Sequence, residues 1–571
     1  MDKRLVPAIF FLLLITFGTQ LVLSTLDKSI ISDEPAHAIR GYYLLKTGNL
    51  LIYGHTPLSH FLTVPFLTFE EIKLPSNHEE LYLKNYPTTL GEAILFKSGN
   101  NADRIIFLAR LPILIISVIF GIFIFKLAKE LYGVKAGLFA LFLYSFNPVV
   151  LSIGGVITTD MAASFFIFLA VYAYWNMLKK MTKWRVLLAG LFFALAISTR
   201  LTAFALIPIF VILGAGYYYE KRKKPELKRL LLGFVTIMLI GYLMINALYG
   251  FEGSFKPLGK NIQDDTALYV DKDKYNAETI SAMAPLMKGA VKFAVNRIPV
   301  MVPYPFLKDV FSVPAVAFTG KSMFYVLGKF STWFWYYYPV TFLVKMHLLI
   351  LAALALSIAF FKKIRAGMTA ELMLILPFTF LFLFFMFFIP IENGIRYLLP
   401  ALPFLFVFVS KVVKLRSKIV AVVLALLSIS YVVAALTIFP AYSAYFNEFA
   451  GGPNTGYKVT AGSNVELGGE HMVRLKNYMD EKGIEKIKLS YGGGSDPDYY
   501  GISRNDLQSI YLTYQTNITE DCGPTTGIIA VSSSNLIGLH MENQSCFSWL
   551  NDYEPIDKIG YSLFVYNITE K

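Results

Sequence analysis

Ionisable residues stand at the ends of several long apolar segments, and they are of two kinds, carboxylates and arginines. The set consists of Asp33, Glu34, Asp160, Arg110, Arg200 and Arg396. Charge at membrane depth is costly, so each member is a candidate for function. A carboxylate can take a proton from an attacking hydroxyl as a general base, and an arginine offers a planar fork of donors that suits phosphate oxygens. Together they suit the transfer of a group from a phosphate to a hydroxyl.

Each of these residues also has a structural interpretation. Ser32-Asp33-Glu34 and Thr158-Thr159-Asp160 are typical of helix starts, because short polar side chains and early acids suit a helix N-terminus. Arginines at the end of an apolar segment can reach out to lipid headgroups. His37, Arg40, His55 and Glu392 lie in the same end regions, where the histidines could equally be ordinary loop residues. The co-occurrence of the whole set favours a functional site.

The composition indicates a membrane protein. Of the 571 residues, 56% are hydrophobic and 16% are charged, and a soluble domain of this length could not cover so much apolar surface. The net charge of +13 does not indicate nucleic-acid binding, because the basic residues form short clusters between apolar runs. Such clusters are typical of loops held on one side of a bilayer.

Eleven segments are predicted as transmembrane helices, since about 20 mostly apolar residues cross the hydrocarbon core. They are residues 5–25, 105–128, 135–152, 160–178, 185–199, 201–219, 229–249, 340–361, 370–389, 395–413 and 419–439. Alternate loops carry basic clusters, as at 179–185 and 221–229. The short joints on the other side hold only two basic residues, Arg200 and Arg396. This bias predicts a cytoplasmic N-terminus and an external C-terminus. The first segment could alternatively be a cleaved signal peptide with an unusually long apolar core.

The chain is thus predicted to comprise a transmembrane domain over 1–439 and an extracytoplasmic domain over 440–571. The outer loops of the first domain are 26–104 and 250–339, and the second loop has a predicted helix near 276–297.

The tail after residue 439 is predicted to be a small α/β domain. Its predicted elements are a helix over 466–482 and strands at Lys486–Tyr491, Ile528–Val531 and Leu563–Tyr566. It also holds both cysteines, Cys522 and Cys546, and three sequons, at Asn517, Asn543 and Asn567. This grouping indicates an oxidising, glycosylating compartment and a Cys522–Cys546 disulfide, with two free thiols and chance sequons as the alternative.

The candidate residues lie in an ordered series of motifs. These are Asp33-Glu34-Pro35-Ala36-His37, His55-Thr56-Pro57-Leu58, Thr158-Thr159-Asp160, Thr199-Arg200-Leu201-Thr202-Ala203 and Arg396-Tyr397-Leu398-Leu399-Pro400. The series resembles the dolichyl-phosphate-mannose protein mannosyltransferase-like family, which includes protein O-mannosyltransferases and aminoarabinose lipid A transferases. The sequence departs from the family at Thr56, usually a second proline, at Arg200, often lysine, and at Val465-Glu466-Leu467-Gly468, where many relatives carry an acidic residue and Trp-Gly. No segment is long enough for the β-trefoil of eukaryotic protein O-mannosyltransferases.

The resemblance implies a polytopic α-helical membrane protein with the GT-C fold and an inverting hexosyl or pentosyl transferase activity. The donor would be a polyprenyl- or dolichyl-phosphate sugar, and the acceptor a hydroxyl of a protein, a glycan or a lipid. By position, Asp33 would be the catalytic base, Glu34 would support it or bind sugar, and Asp160 would position the acceptor or the donor. The implied phosphate ligands are Arg110, Arg200 and Arg396, and the implied pocket residues are His37, His55, Glu392 and Tyr397.

Two other functions remain open on the sequence. A transporter or lipid flippase could use intramembrane charges, but it commonly has internal repeats and charges near the midplane, and the sequence has no evident repeat. An oligosaccharyltransferase-like enzyme would share the fold and use a divalent metal, for which Asp33 and Asp160 are the candidate ligands. The sequence predicts no required cofactor, and it predicts a prokaryotic cell membrane as the location.

Overall fold

The computed structural model describes residues 4–48, 56–83, 87–221, 225–264, 297–310, 323–509, 522–539, 541 and 543–569. Long apolar helices make up most of this chain. In chain order the helices are α1 Leu5–Leu26, α2 Glu34–Thr47, α3 Leu58–Phe61, α4 His78–Leu83, α5 Pro87–Lys97, α6 Ala102–Tyr132, α7 Val134–Ser145, α8 Pro148–Ile153, α9 Thr159–Lys179, α10 Lys183–Thr199, α11 Leu206–Lys221, α12 Pro225–Leu248, α13 Leu258–Asp264, α14 Tyr337–Lys345, α15 Leu348–Ala359, α16 Phe361–Ile364, α17 Met368–Phe388, α18 Leu402–Val409, α19 Lys418–Thr437, α20 Met472–Lys482 and α21 Ser533–Leu536.

The protein is a polytopic helical membrane protein. Within the described residues, seven helices are long and apolar enough to cross a membrane, or eight if the bent pair α14 and α15 forms one span. The predicted count of eleven spans is therefore not established. The remaining predicted segments are helical, but they are short or interrupted.

Specific residues interrupt these segments. Asn147 and Pro148 separate α7 from α8: proline lacks the N–H that would continue a helix, and Asn147 caps α8 by accepting N–H bonds from Val149 and Val150 at 3.1 and 3.2 Å. Helices α14 and α15 meet at a bend of 111°, where His347 caps α15. The predicted span 395–413 holds only α18 between two 3₁₀ turns.

Helix α9 is the most enclosed of the long helices. In its apolar window 83% of the residues are buried, against 22% in α1 and 17% in α19. Helices α1 and α19 therefore present most of their apolar side chains outward, as lipid-facing helices must. The central position of α9 brings its first turn, which carries Asp160, to one end of the packed core.

A mixed five-stranded sheet follows the last long helix, with strands β3 Ile487–Ser490, β4 Arg504–Asp506, β5 Gly527–Ser532, β6 Asp557–Ile559 and β7 Leu563–Ile568. Its order is β4-β3-β5-β7-β6. A separate hairpin, which precedes α14 in the chain, pairs β1 Phe324–Val326 with β2 Lys329–Ser331. All three predicted strands are present. The predicted helix 466–482 begins only at Met472, because Gly468 and Gly469 adopt φ values of 83° and 93°, outside the helical region.

The segment that leads into α2 is held against the C-terminal part of the chain. The Ser29 N–H donates to the Glu470 carbonyl at 3.1 Å, and Ser495 Oγ donates to the Ile30 carbonyl at 2.7 Å. A Cβ atom at Gly494 would lie 2.2 Å from the Ile31 carbonyl oxygen, so only glycine fits this approach. The start of α2 is thereby fixed from outside the helical bundle.

The structure contains the Cys522–Cys546 disulfide. Asn543 and Asn567 are exposed, so both remain predicted glycosylation sites. His55, Asn517 and the helix predicted near 276–297 lie outside the described residues.

Candidate functional site

Two arginine–carboxylate pairs meet at one end of the bundle. Arg396 Nη1 donates to Asp33 Oδ2 at 2.7 Å, and Arg200 Nη1 donates to Asp160 Oδ1. The two pairs are close enough for Arg396 to interact electrostatically with Asp160 and with Arg200. We call Asp33, Asp160, Arg200 and Arg396 the ion-pair cluster; it unites four of the six ionisable residues that the sequence singles out.

The 3₁₀ turn Gly394–Leu398 positions the arginine and the tyrosine of the late motif. Asn393 Oδ1 accepts from Arg396 Nη2 at 2.8 Å, and Asn393 Nδ2 donates to the Tyr397 hydroxyl at 2.6 Å. The Tyr397 ring lies under Arg200, 4.4 Å from ring centre to guanidinium carbon, a cation–π contact. Arg396 Nε is buried and has no hydrogen-bond partner among the described residues. This guanidinium therefore retains a donor for an oxyanion.

The two carboxylates of the cluster differ in access. The Asp33 side chain is 34% exposed, whereas the Asp160 side chain is 4% exposed. Asp160 sits in the first turn of α9, where Thr158 Oγ1 accepts its backbone N–H. Asp33 is therefore the carboxylate of the cluster that a ligand can reach, whereas Asp160 is enclosed and bonded to Arg200.

Glu34 and Arg110 do not join the cluster. Arg110 uses all five of its N–H donors: two bind Glu34, from Nε to Oε1 at 2.7 Å and from Nη2 to Oε2 at 2.6 Å, and three bind the carbonyls of Thr25, Lys28 and Ser29. Glu34 is fully buried and also accepts the N–H groups of Ile31 and Ile157.

Because the hydrogen-bonding groups of Glu34 and Arg110 are all in use, two predicted roles in substrate binding are wrong. Glu34 cannot bind sugar, because its carboxylate is enclosed and fully bonded; its role as a support for Asp33 stays a prediction. Arg110 has no donor left for a phosphate oxygen. The pair instead ties α6 to the start of α2, directly behind Asp33.

A cluster of basic side chains lies beside Asp33 on the inner face of α2. The rings of His37 and His60 stack with centroids 5.3 Å apart, and Arg40 Nη1 lies 3.4 Å from His60 Nε2. Burial, reinforced by nearby arginines, lowers the pKa of His37 well below its usual range, so the imidazole is neutral. Burial also lowers the pKa of Arg40 to about 10, which leaves it cationic. Arg40 lies three residues after His37, a spacing that places both side chains on one face of the helix.

A polar cavity of about 140 Å³ opens beside Asp33. Its lining includes Asp33 and Arg396 from the ion-pair cluster, together with Glu392 and Glu466. Glu392 Oε1 accepts from the Tyr337 hydroxyl at 2.6 Å and from the Gly394 N–H at 3.1 Å. Burial raises the pKa of Glu392. Glu392 thus lies in the wall of a cavity, and its role in binding substrate stays a prediction.

Glu466 is the third carboxyl group in the wall of the cavity, after Asp33 and Glu392, and in the sequence it stands out only as part of a departure from a family motif. Its Oε1 accepts from Ser533 Oγ at 3.3 Å and from the Ser534 N–H at 3.1 Å. Burial, together with the charge of Glu470, raises the pKa of Glu466 to about 7. Asn464, two residues earlier, accepts the Ile395 N–H through its side chain at 2.8 Å, which holds this segment against the turn that carries Arg396.

The raised pKa of Glu466 implies that the stability of the fold depends on pH. In the unfolded chain Glu466 would titrate near its ordinary value of 4.5, so its protonated form favours the folded state and this contribution is lost as pH rises through about 7. Glu466→Gln should therefore raise the free energy of unfolding at pH 8.5 by about 2–3 kcal/mol and change it little at pH 4.5. Denaturant titration in detergent at both pH values measures the difference, and an equal effect at both would contradict the assignment.

Metal ligation by Asp33 and Asp160 is disfavoured by their partners, since each carboxylate is neutralised by its own arginine. Among the described residues, no group of three or more His, Cys, Asp or Glu side chains is placed to hold a metal ion.

These features define a membrane protein with an arginine–carboxylate site at one end of its helical bundle. The profile of the family described as dolichyl-phosphate-mannose-protein mannosyltransferase matches residues 101–245, about a quarter of the chain, from α6 through most of α12. The matched segment includes Asp160 and Arg200. The resemblance that the sequence shows to this family is thus confirmed over this segment, and it relates the chain to membrane glycosyltransferases.

Among solved structures, ArnT from Cupriavidus metallidurans bound to undecaprenyl phosphate aligns with 12% identity and a TM-score of 0.41, covering 99% of this chain and 98% of that one. ArnT from the same organism in the apo state aligns with 12% identity and a TM-score of 0.40, covering 97% of each chain. No curated protein matches the sequence significantly.

Proposed function

We propose that this protein is an inverting glycosyltransferase of the GT-C type that moves a sugar from a polyprenyl- or dolichyl-phosphate to an acceptor hydroxyl. Its strongest support is the ion-pair cluster, in which the partly exposed carboxylate of Asp33 lies beside a guanidinium with an unused donor. The family description names a dolichyl-phosphate-linked sugar as donor. Outward-facing apolar helices such as α19 are suited to contact the lipid part of such a donor.

The chemistry assigned to the site is a single displacement. The acceptor oxygen attacks the anomeric carbon while the bond from that carbon to the phosphate oxygen breaks, which inverts the centre. The phosphate leaves with the bonding electron pair and needs no proton. Asp33 takes the acceptor's proton as general base. Arg396 and Arg200 stabilise the phosphate, whose charge increases as it leaves.

The pairing of Asp33 with Arg396 has a mechanistic consequence. A donor phosphate that approaches Arg396 competes with Asp33 for the same guanidinium. Once Arg396 turns toward the phosphate, the carboxylate is released for the acceptor hydroxyl. Donor binding thus prepares the base, and Asn393 keeps the other nitrogen of Arg396 in place during the exchange.

We place this site on the outer face of the membrane. The ion-pair cluster lies at the same end of the bundle as the C-terminal sheet, since the segment before Asp33 is bonded to residues 467–495. The opposite end of the bundle carries the basic clusters, which positive-inside bias assigns to the cytoplasm.

The proposal is tested with purified full-length protein in lipid vesicles and polyprenyl-phosphate sugars labelled in the sugar. Loss of label from the lipid phosphate, with gain of label on an added acceptor, is the expected result. Label that crosses the bilayer while still attached to its lipid would indicate a flippase. Complete loss of transfer with EDTA and its return with a divalent cation would favour the metal-dependent alternative.

Loss of either cluster arginine should weaken donor binding. Hydrogen bonds to charged groups contribute about 1.5–3 kcal/mol each, so Arg200→Ala or Arg396→Ala should raise the donor Kd about 10- to 100-fold. Arg200→Lys should retain most of the affinity, because a point charge suffices there. Arg396→Lys should not, since Arg396 must reach Asp33 and Asn393 with separate nitrogens.

Equilibrium binding of a labelled polyprenyl phosphate measures this affinity. Arg185→Ala is the matched control, since Arg185 lies at the start of α10, at the other end from Arg200, and bonds to the Asn176 carbonyl. Wild-type affinity in both cluster alanine variants would remove the arginines from the phosphate site.

A further inference from the structure

The cavity beside Asp33 lies on the side of the proposed base that faces the C-terminal part of the chain. Among the described residues, Asp33 and Arg396 are the members of the ion-pair cluster that line it. Asp160 and Arg200 stand behind them with Tyr397. If the donor phosphate occupies the arginines, this cavity provides the approach to Asp33 for the second substrate.

The size and lining of the cavity indicate what that substrate is. A volume of about 140 Å³ compares with a 150 Å³ engineered cavity that holds one benzene molecule, so it accommodates about one six-membered ring. Hydroxyl and amide groups dominate the wall: Ser32, Asn393, Ser463, Ser532 and Ser534. Such a wall matches a ring rich in hydroxyls better than an apolar side chain or an extended peptide.

Two carboxyl groups are fixed on the wall by their own hydrogen bonds. Glu466 is oriented by Ser533 and Ser534, and Glu392 by Tyr337 and Gly394. Gly462 adopts φ +66°, and a Cβ atom there would lie 2.5 Å from Glu392 Oε2, so this side of the wall depends on a glycine. Preoriented acceptors of this kind bind hydroxyl groups without reorganisation.

The charges of the wall exclude one class of ligand. Arg396 is the one cation among the described lining residues, and it is paired with Asp33. Glu392 and Glu466 therefore leave the wall neutral to negative. An anionic ring would meet repulsion there, whereas a neutral ring would not.

We propose that this cavity is the acceptor subsite and that it binds one neutral, polyhydroxylated ring, the terminal sugar of a glycan, with Glu466 and Glu392 accepting hydrogen bonds from its hydroxyls. This inference rests on the proposed function and selects a glycan among the acceptors that the sequence leaves open. Glu466 is a positioning residue for the attacking hydroxyl, which Asp33 deprotonates.

The test uses the full-length protein and three probes: a methyl hexopyranoside, the corresponding methyl hexopyranosiduronate and a short serine-containing peptide. Binding is measured by ligand-observed NMR, and transfer with labelled donor is measured in parallel. The neutral hexoside should bind, the uronate at least tenfold more weakly at pH 8, and the peptide not detectably in competition with the hexoside. Glu466→Gln should weaken hexoside binding at least fivefold and leave the donor Kd unchanged. Glu448→Gln, an exposed acid outside this cavity, is the matched control and should change neither.

The outcomes separate this inference from the proposed function. Transfer to peptide without hexoside binding would overturn the inference while the function stands. A Glu466→Gln effect on the donor Kd alone would assign the cavity to the donor and also overturn it. Equal binding of hexoside and uronate would contradict the charge argument. Hexoside binding that depends on Glu466, with no transfer from any lipid donor, would support the subsite and refute the proposed reaction.

Discussion

Asp33→Asn is expected to lower the turnover of sugar transfer by about 10²–10⁴-fold, the usual contribution of a positioned general base. Asparagine keeps the size of the side chain and an oxygen that can accept from Arg396 Nη1, so the turn before α2 should keep its shape. What is lost is the ability to take the acceptor's proton. The donor Kd should stay within a few-fold of wild type, because the phosphate binds the arginines.

Turnover is measured with labelled donor at saturating acceptor, and the donor Kd by direct binding. Asp27→Asn is the matched control, since Asp27 belongs to the same loop and pairs with the partly exposed Arg474. It should change turnover less than twofold. Near-normal turnover in Asp33→Asn would remove Asp33 from the role of base, whereas loss of both turnover and donor binding would indicate a disturbed fold.

Arg110→Gln is expected to destabilise the protein by about 3–5 kcal/mol, because removal of one partner leaves a buried charge uncompensated. Glu34 is fully buried and would lose its two bonds to the guanidinium. The carbonyls of Thr25, Lys28 and Ser29 would lose donors as well. The double variant Glu34→Gln/Arg110→Gln should recover part of the loss, since no unpaired charge remains.

The same helix offers a matched control. Arg104 of α6 pairs with Glu70, but its side chain is 64% exposed, so Arg104→Gln should cost no more than about 1 kcal/mol. Denaturant titration in detergent measures the free energy of unfolding of the wild type, Arg110→Gln, the double variant and Arg104→Gln. If Arg110→Gln were as stable as wild type yet bound donor poorly, Arg110 would be a phosphate ligand after all.

The sequence singles out all four members of the ion-pair cluster for a physical reason. Asp33, Asp160, Arg200 and Arg396 each follow or precede a long apolar segment, and topology brings such ends together whatever their separation along the chain. The partner of each residue is not predictable in this way. Asp33 pairs with a residue 363 positions away, and that choice depends on how the turn Gly394–Leu398 packs.

Adjacent acids cannot be separated by sequence position alone. Asp33 and Glu34 differ by one residue, but successive residues of a helix point about 100° apart. One side chain therefore faces a cavity, and the other faces α6. Glu466 was missed because nothing local marks it, and its role depends on the docking of a segment more than 400 residues from Asp33. Hydropathy similarly cannot show the 111° bend between α14 and α15.

The contacts of residues 29–32 with residues 467–495 determine how late during synthesis the site can assemble. The N-terminal half of the chain is synthesised first, yet Asp33 acquires its guanidinium partner only with Arg396 and its backbone support only with residues 467–495. An unfinished polypeptide therefore holds the Asp33 carboxylate loosely, and the arrangement of the site is complete only once both later segments have packed against it.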